Sequence, residues 1–373
     1  MNPGHISSLY VHFPFCETKC HYCDFYSLGR ERTRDGDASK FEQALKIEAE
    51  RLAPLLAPKL DTIFFGGGTP SMTPPESMAR ALEPLWKYTE VTDQTEWTME
   101  ANPSSIDLDN FKQYRALGVN RVSMGVQAMR DDLLLKLGRV HSREAALRAL
   151  DVIFSAGITN ASVDLLCGVP GQTTKDLEEA MTKLSSYPIT HLSCYLLTLA
   201  PHHRMYKDLP GEEEQLEHLL FIDEFMRSKG FEHYEISNFA KPGKRARHNL
   251  HYWKGQSYLA LGPSAHAFDA KTNKRWKNVS SLHKYAELLI AGESAVEWTE
   301  ELTEDQRGLE KWMLALRLDE GFPSQWIQTP LQRARLDQML TKGLIQVHPD
   351  SSEKFRLTAR GFALSDQIIQ ALT

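Results

Sequence analysis

Three cysteines near the start of the chain, Cys16, Cys20 and Cys23, lie within eight residues of one another. Thiolates bind soft metals, and three of them on one short loop can surround a single metal centre without a distant partner. Structural zinc takes four closed ligands, a set that only His12 or His21 could complete here. A [4Fe–4S] cluster normally takes four thiolates, so three thiolates leave one iron open to another ligand. The spacing therefore favours such a cluster, with zinc as the alternative.

Two more cysteines, Cys167 and Cys194, lie in apolar stretches far downstream, where cysteine usually behaves as a small buried hydrophobic residue. Five cysteines among 373 residues are too few and too unevenly placed for a disulfide framework. We therefore assign the metal chemistry to the first three cysteines alone.

The elements that must position the cysteine loop alternate between short apolar runs and amphipathic segments. Strands are predicted at residues 9–13, 62–65, 97–100, 121–124, 162–166 and 191–197. Helices are predicted at residues 41–55, 76–86, 108–117, 142–155, 174–185 and 211–229. This alternation predicts an α/β fold with a parallel sheet. Because six units are fewer than the eight of a closed barrel, we expect a partial (β/α)6 barrel.

The pattern changes after Gly230. Residues 231–239 predict one more edge strand, and residues 240–262 are basic, aromatic and irregular. From about Glu300, two helices, two short strands and a last helix follow, which is the order of a winged-helix module. We therefore predict a barrel over residues 1–240, a connecting segment over 241–299 and a small winged-helix-like C-terminal domain over 300–373.

The composition limits the possible classes of function. The chain is 42% hydrophobic and 25% charged, which excludes disordered and fibrous proteins. A net charge of −6 argues against a nucleic-acid partner, also for the winged-helix-like domain. No apolar run approaches the ~18 residues of a membrane span, and residues 1–13 lack the basic and apolar regions of a signal peptide. We expect a cytoplasmic protein without a transmembrane segment.

Polar residues and glycines gather where the predicted strands end. The glycine run at residues 66–68 follows the second strand, Glu100 ends the third, Gln127 follows the fourth, and Asp164 lies near the end of the fifth. In barrels the carboxyl ends of the strands form the active face, and glycine lets a ligand approach the backbone closely. Each residue alone is more often a cap or a turn, but together they predict a binding site beside the cysteine loop.

The cysteine spacing on a loop after the first strand resembles the radical S-adenosylmethionine (SAM) superfamily. Within it, the chain resembles the oxygen-independent coproporphyrinogen III oxidase group over nearly its whole length. The segments that carry this resemblance are YVHFPFC at residues 10–16, GGGTP at 66–70, EANP at 100–103, RVSMGVQ at 121–127, LGR at 137–139 and DLLCGVPGQT at 164–173. The resemblance implies a partial (β/α)6 radical SAM barrel, a [4Fe–4S] cluster on Cys16, Cys20 and Cys23, and SAM at the open iron.

By motif, the resemblance also implies SAM contacts from Tyr10, Gly67, Gly68, Thr69, Glu100, Gln127, Arg139 and Asp164. The glycines and the threonine would hold the methionine portion through the backbone. The acidic residues and the glutamine would lie along the nucleoside and amino-acid portions, and Tyr10 would lie next to the cluster. Arg139 suits a carboxylate, because its planar fork can bind two oxygens at once.

Two departures separate this chain from the oxidase itself. The oxidase pattern continues with another cysteine two positions beyond the third, where this chain has Phe25. The oxidase also carries a substantial N-terminal extension, whereas only fifteen residues precede Cys16 here. Both departures argue against decarboxylation of coproporphyrinogen.

A further motif points to heme. Residues 247–253 contain HNxxYW, which resembles the signature of heme chaperones related to this group. A histidine beside large aromatic rings suits heme, because imidazole binds iron axially and the rings cover the macrocycle. His248 is the candidate iron ligand. The alternative is a loop histidine with two aromatic residues that anchor the loop to the barrel.

Two functions remain open at this point. The first is a heme chaperone that binds heme as cargo and passes it to acceptor proteins such as respiratory hemoproteins, while keeping a SAM-binding cluster. The second is an anaerobic coproporphyrinogen III dehydrogenase, which forms protoporphyrinogen IX by oxidative decarboxylation. The missing cysteine favours the chaperone, whereas the intact SAM positions keep the enzyme open.

Overall fold

Strands and helices alternate up to residue 228 in the computed structural model, which describes residues 4–373. The strands of this part are β1 (Ser8–Phe13), β2 (Phe15–Cys16), β3 (Leu28–Gly29), β4 (Thr62–Gly67), β5 (Glu96–Ala101), β6 (Arg121–Gln127), β7 (Asn160–Cys167) and β8 (His191–Leu196). The helices are α1 (Asp37–Leu52), α2 (Pro75–Leu82), α3 (Leu108–Leu117), α4 (Asp131–Lys136), α5 (Arg143–Ser155), α6 (Thr174–Ser185) and α7 (Glu212–Ser228). All six predicted strands and all six predicted helices are present, which confirms the partial (β/α)6 barrel.

Shorter elements make up the rest of the chain. In chain order they are β9 (Glu232–Glu235), β10 (Asn238–Ala240), α8 (Arg247–Trp253), β11 (Leu259–Leu261), β12 (His266–Asp269), β13 (Lys274–Asn278), α9 (Leu282–Ile290), β14 (Val296–Glu301), α10 (Glu304–Ala315), β15 (Phe322–Pro323), α11 (Pro330–Thr341), β16 (Ile345–His348), β17 (Ser351–Leu357), α12 (Ala359–Ala363) and α13 (Ser365–Leu372). Within residues 4–373, no helix combines the length and the apolar character needed to cross a membrane.

The chain forms two compact units. The first comprises the residues up to Asp164 together with Tyr187–Ile189 and Gln256–Leu302. Its strands lie in the order β11-β1-β4-β5-β6-β7, and the pairs from β11 to β6 are parallel. Leu9 and Val11 of β1 are fully buried, as expected for parallel strands, which are covered on both faces.

Strand β11 lies in the segment predicted to be irregular, so this part of the prediction is wrong. It pairs in parallel with β1, with Leu9 opposite Leu259 and Val11 opposite Leu261. Since β4 pairs with the other side of β1, the first strand has a neighbour on both edges. A three-residue strand is too short for its periodicity to show in the sequence.

A buried carboxyl group joins this edge of the sheet to two helices of the same unit. Glu48 of α1 accepts hydrogen bonds from Gly262 N at 2.8 Å, from Asn278 Nδ2 at 2.6 Å and from the Tyr285 hydroxyl of α9 at 2.6 Å. Burial raises the pKa of Glu48 to about 7, although these donors act in the opposite direction. The glutamate therefore holds α1, α9 and the end of β11 together.

The second unit comprises Leu165–Ser186, Thr190–Gly255 and Thr303–Thr373. In it, β8 pairs antiparallel with β10, and β10 pairs antiparallel with β9. The sequence predicts one edge strand at residues 231–239, and the structure corrects this to a hairpin. Its two-residue turn is Ile236-Ser237, which lacks the glycine, asparagine or aspartate that usually marks a hairpin turn.

The C-terminal part of the second unit has the predicted winged-helix order. Helices α10 and α11 precede the hairpin of β16 and β17, and β15 completes a sheet in the order β15-β17-β16. Both helices begin with capping boxes, in which Thr303 and Thr329 accept from the third residue of each helix. The core includes the buried side chains of Phe322, Leu336 and Leu357. The domain boundaries at residues 240 and 299 stay a prediction, because a compact unit is not by itself an independently folding domain.

Candidate cofactor site

The cysteine loop begins where β1 ends. Cys16 closes β2 opposite Gly29, and the amide of Cys23 donates to the carbonyl of Cys20 at 3.3 Å. All three thiols are half-buried and none forms a disulfide. Burial raises the pKa of Cys16 and of Cys23, and the charges of the neighbouring thiols raise both pKa values further. The three thiols are therefore close enough to act as one set of ligands.

Two of the three sulfur atoms accept hydrogen bonds from barrel side chains. Thr69 Oγ1 donates to Cys16 Sγ at 3.6 Å, and Arg139 Nη1 donates to Cys20 Sγ at 3.4 Å. Asn102 connects these donors, since its Nδ2 donates to Thr69 Oγ1 at 2.7 Å and its Oδ1 accepts from Arg139 Nη2 at 2.8 Å. Hydrogen bonds to thiolate ligands orient them and tune the reduction potential of an iron–sulfur centre.

One N–H group of Arg139 has no hydrogen-bond acceptor among the described residues. Its Nη2 also donates to the carbonyl of Gly125, but its buried Nε has no hydrogen-bond partner within residues 4–373. Burial lowers the pKa of Arg139, but Tyr22 and Cys20 outweigh this effect and raise it above its usual value. A buried N–H group without an acceptor is costly, and a bound anion would satisfy it. The predicted contact of Arg139 with a carboxylate therefore stays a prediction that the geometry supports.

His12 is not available to complete a zinc site. Its Nε2–H donates to the carbonyl of Tyr26 at 2.8 Å, so its Nδ1 accepts from the Tyr10 hydroxyl at 3.0 Å. Burial lowers the pKa of His12 to about 4, which keeps the ring neutral, as one donating and one accepting nitrogen require. Within residues 4–373, no three histidine, cysteine or acidic side chains are arranged around a single metal ion.

The glycine run packs tightly against the end of β1. The amides of Gly68 and Thr69 donate to backbone carbonyls there, both at 2.7 Å, and the amide of Gly67 donates to Glu100 Oε2 at 3.2 Å. Gly67 has φ of +106°, and a Cβ atom on it would lie 2.5 Å from the His12 ring. These three amides already have acceptors, so a backbone contact of this run to SAM stays a prediction.

Two carboxyl groups reach the site from strands on either side of β6. Glu100 of β5 pairs in register with Ser123 of β6, and the Ser123 hydroxyl donates to both carboxylate oxygens of Asp164 at 3.0 and 3.1 Å. Burial, reinforced by the charge of Asp164, raises the pKa of Glu100 to about 8. Glu100 is therefore mostly protonated at pH 7 and can donate a hydrogen bond to a ligand as well as accept one.

Gln127 ends β6 in a strained backbone conformation. Its φ is +68°, and among the non-glycine residues of the described chain only Ser264 and Asn273 also have positive φ. Side chains other than glycine rarely adopt this region, and strain of this kind clusters at ligand sites. The strain supports the choice of Gln127 as a site residue.

The candidate heme residue lies in the other compact unit. His248 lies on α8, where a loop was predicted, and its side chain is 0% exposed. Its Nε2 shares a hydrogen bond of 2.7 Å with the Tyr252 hydroxyl, four residues along the same helix face. The same bond brings the two rings edge to face, 4.9 Å apart. Iron ligation by His248 stays a prediction, and ligation through Nε2 requires this bond to open.

The structure thus brings together all the residues predicted to bind the cluster and SAM, in the first unit, and leaves His248 in the second. Sequence reasoning gave no role to Asn102 or Ser123, although both lie in segments that carried the family resemblance. Asn102 directly follows the end of β5, two residues after Glu100, and this position is a signal that would have selected it. Ser123 lies inside β6 opposite Glu100, which only the register of the strands shows.

Comparisons with known proteins identify the family of the chain. The model of the Radical SAM superfamily matches residues 10–184. A protein from Mycobacterium tuberculosis named heme chaperone HemW is 33% identical over 378 residues, which cover 99% of this chain and 95% of that protein. The protein of the same name from Bacillus subtilis is 32% identical over 382 residues, which cover 98% and 99%.

Among solved structures, coproporphyrinogen III oxidase (HemN) from Escherichia coli, a radical SAM enzyme, superimposes with a TM-score of 0.83 over 99% of this chain and 90% of its own. At 23% identity this likeness shows the fold alone. The barrel, the cysteine loop and the superfamily model together define a radical SAM protein. Within that class, the chain belongs to the HemN-like family of the proteins named HemW.

Membership of this superfamily implies a [4Fe–4S] cluster and SAM, and the residues present fit both. Three mutually close thiols supply the ligands for three irons, and two of them already accept hydrogen bonds from barrel side chains. The unsatisfied Nε of Arg139 and the protonated Glu100 offer donors to a polar ligand bound beside the loop.

Proposed function

We propose that this protein is a heme chaperone, which binds heme, passes it to acceptor hemoproteins and carries a SAM-binding [4Fe–4S] cluster. The observation that carries the proposal is the similarity of nearly the whole chain to proteins named heme chaperones, at 33% and 32% identity. Helix α8 with its HNxxYW sequence supplies the histidine and aromatic side chains that suit a porphyrin.

The cluster would be held by Cys16, Cys20 and Cys23, and SAM by Tyr10, Gly67, Gly68, Thr69, Glu100, Gln127, Arg139 and Asp164. When both are bound, a reduced cluster supplies the electron that cleaves the sulfonium of SAM. The chain's own contribution is to orient the thiolates through Thr69 and Arg139 and to offer polar groups to SAM from three neighbouring strands.

We also propose that the protein leaves coproporphyrinogen unchanged. The oxidase pattern has a cysteine where this chain has Phe25, and this phenylalanine is 68% exposed, so it places an apolar ring rather than a thiol at the surface beside the cysteine loop. The complete set of SAM positions favours the second candidate, a coproporphyrinogen III dehydrogenase. The same sample must therefore be tested for both activities.

The hydrogen bond between His248 and Tyr252 is not by itself an obstacle to heme ligation, but ligation also requires the buried His248 side chain to become accessible. A hydrogen bond such as that between His248 and Tyr252 contributes about 0.5–1.5 kcal/mol net. A micromolar affinity for heme corresponds to about −8 kcal/mol, so opening this bond costs a small part of the binding free energy.

The deciding experiment uses anaerobically reconstituted protein. Added heme is expected to give a Soret band and to move to an apo-hemoprotein, while coproporphyrinogen III stays unchanged with SAM and a reductant present. His248→Ala should change the Soret spectrum if this imidazole is the axial ligand. Production of protoporphyrinogen IX would show that the protein is a coproporphyrinogen III dehydrogenase. Failure to bind or transfer heme would contradict the proposal of a heme chaperone.

The cluster assignment has its own test. Replacing Cys16, Cys20 or Cys23 by Ala should abolish the broad absorbance near 400 nm and the content of about four irons per chain expected of a [4Fe–4S] centre. Cys167→Ala and Cys194→Ala are the matched controls, since both cysteines are buried and lie in the second unit. Stoichiometric zinc without labile sulfide in the parent protein would contradict the assignment.

A further inference from the structure

A cavity of about 480 Å³ lies at the end of helix α8, inside the second compact unit. Trp253, the last residue of the HNxxYW sequence, forms one part of its wall, and Trp326 of the winged-helix-like part forms another. Both tryptophans are half-buried, so each presents an apolar face to the cavity. The volume falls in the range of ~300–1,000 Å³ that is usual for small-molecule sites.

The rim of the cavity is cationic. Lys254, Arg307 and Lys311 line it together with a single carboxylate, that of Glu320. Lys254 pairs with Glu320 at 2.8 Å, and Lys311 Nζ lies 4.4 Å from the centre of the Trp326 ring. Arg307 is half-buried, lies 3.7 Å from Glu310 Oε2 and donates from Nη2 to the Gly255 carbonyl at 3.5 Å. Ion pairs this long or this exposed are weak, so the three cations can turn to the acidic groups of a ligand.

The aromatic walls are fixed before any ligand arrives. The indole of Trp253 donates to the buried carboxyl group of Glu235, and the guanidinium of Arg317 lies 5.9 Å from the Trp253 ring. Trp326 packs edge to face against Trp312 of α10, with 5.0 Å between the ring centroids. A wall that is already ordered spares a ligand the entropy of ordering it.

We propose that this cavity is the heme seat, with the macrocycle against Trp253 and Trp326 and the propionates on Arg307, Lys311 and Lys254. His248 does not line the cavity, so the seat does not itself supply the candidate axial ligand. The cargo itself is taken from the proposed function, on which this inference rests. A flat apolar body with two carboxylates at one edge matches an aromatic wall under a cationic rim, and the arginine fork suits a carboxylate. The winged-helix-like part thereby contributes part of the cargo site.

Gly308 gives a way to close the cavity while sparing the fold. It lies on α10 and lines the cavity, and a Cβ atom placed on it would meet no other atom within 4 Å. Replacing a helical glycine also removes a residue that destabilises helices. Gly308→Trp should therefore fill the cavity with an indole, and Gly308→Ala is the matched control.

The test titrates the full-length protein with hemin and with hemin dimethyl ester, in which both propionates are neutral. We expect Arg307→Gln/Lys311→Gln to weaken hemin binding at least tenfold and to leave the ester unaffected. Arg333→Gln/Lys342→Gln makes the same change of charge at exposed positions of the same part of the chain and should bind hemin like the parent. Gly308→Trp should abolish binding of both ligands, and Gly308→Ala should retain it.

The outcomes separate this inference from the function on which it rests. If the parent protein binds hemin and the Arg307→Gln/Lys311→Gln and Gly308→Trp variants bind it equally well, this cavity is not the heme site. The proposal of a heme chaperone is then unaffected. A parent protein that binds no hemin overturns the chaperone itself. Circular dichroism of each variant shows whether a loss of binding comes from misfolding.

Discussion

Glu100 and Asp164 approach each other from β5 and β7, and the Ser123 hydroxyl on β6 lies between them. Two carboxyl groups this close do not both ionise easily, and here burial and the charge of Asp164 leave the proton on Glu100 up to a pKa of about 8. At neutral pH the site therefore presents a carboxylic acid, which donates to a ligand oxygen or nitrogen, beside a second carboxyl group that Ser123 holds in place.

We predict that SAM binding depends on both carboxyl groups but not on a charge at Glu100. Glu100→Ala and Asp164→Ala should each weaken SAM binding by about 1–3 kcal/mol, because each removes a buried hydrogen-bonding group. Glu100→Gln should bind like the parent at pH 7, since an amide resembles the protonated acid in shape and in its ability to donate. Calorimetric titration of cluster-loaded protein measures these affinities, and Ala variants that bind SAM normally would show that the site is misassigned.

Among the elements, α1 and α9 are linked by the side chain of Glu48 as well as by their packing against each other. It is fully enclosed and accepts from Gly262, Asn278 and Tyr285, so it links these segments more specifically than apolar packing could. Its pKa of about 7 in the folded protein lies above the usual glutamate pKa of 4.5. The folded state therefore binds a proton that the unfolded state has released between these two pH values.

Because the folded state binds this proton and the unfolded state does not, the free energy of unfolding falls as the pH rises from about 4.5 to about 7. The loss is about 3 kcal/mol at most, from 1.36 kcal/mol per pKa unit. We expect Glu48→Gln to flatten this part of the pH dependence of the free energy of unfolding, measured by urea denaturation of the apoprotein at pH 5, 6 and 7. Glu50→Gln, on the exposed side of α1, should keep the slope of the parent. An unchanged slope in Glu48→Gln would show that the glutamate is ionised throughout.

The sequence predicts long elements better than short or polar ones. The helices at residues 108–117 and 174–185 are predicted to the residue, and each begins directly after a capping side chain, that of Asp107 or Thr173. Helix α8 is missed because histidine, asparagine, tyrosine and tryptophan have weak helix propensity, and packing overrides it. The structural role of Glu48 is not predicted from the sequence, because a glutamate on an amphipathic helix is usually exposed.

The candidate site was predictable for a related reason. Cysteine spacing and strand-end motifs are local in the sequence, so Cys16, Cys20, Cys23 and the carboxyl groups are found without the fold. The link from Asn102 to Thr69 and Arg139 joins three separate segments, and only the folded chain brings them together.

In the molecule as a whole, the first strand is held by residues from the far part of the chain. Strand β1 lies between β4 and β11, and Gly262, directly after β11, packs on the backbone of His12. A Cβ atom on Gly262 would lie 2.4 Å from the His12 carbonyl oxygen, and φ at this glycine is +101°. The backbone at the end of β1 therefore leaves no room for a side chain at position 262.

We predict that Gly262→Ala lowers both the iron content after reconstitution and the thermal unfolding temperature. The clash and the unfavourable φ together should cost about 2–4 kcal/mol. Gly292→Ala is the matched control, because Gly292 also has positive φ, of +87°, but has open space around it, so it should cost about 1 kcal/mol and keep its iron. Equal iron content in the two variants would show that β11 does not support the loop.

The pairing of β1 with β11 also has a consequence for the time at which the protein can mature. Strands β1 and β11 lie about 250 residues apart in the sequence. At ~5–20 residues per second, a ribosome therefore synthesises β11 roughly 12–50 s after β1. During this interval the outer edge of β1 is unpaired, and the three donors that hold Glu48 have not yet been synthesised. The cysteines are translated before the strand and the donors that support them, so we expect the scaffold of the cysteine loop to close only after β11 and α9 have been synthesised.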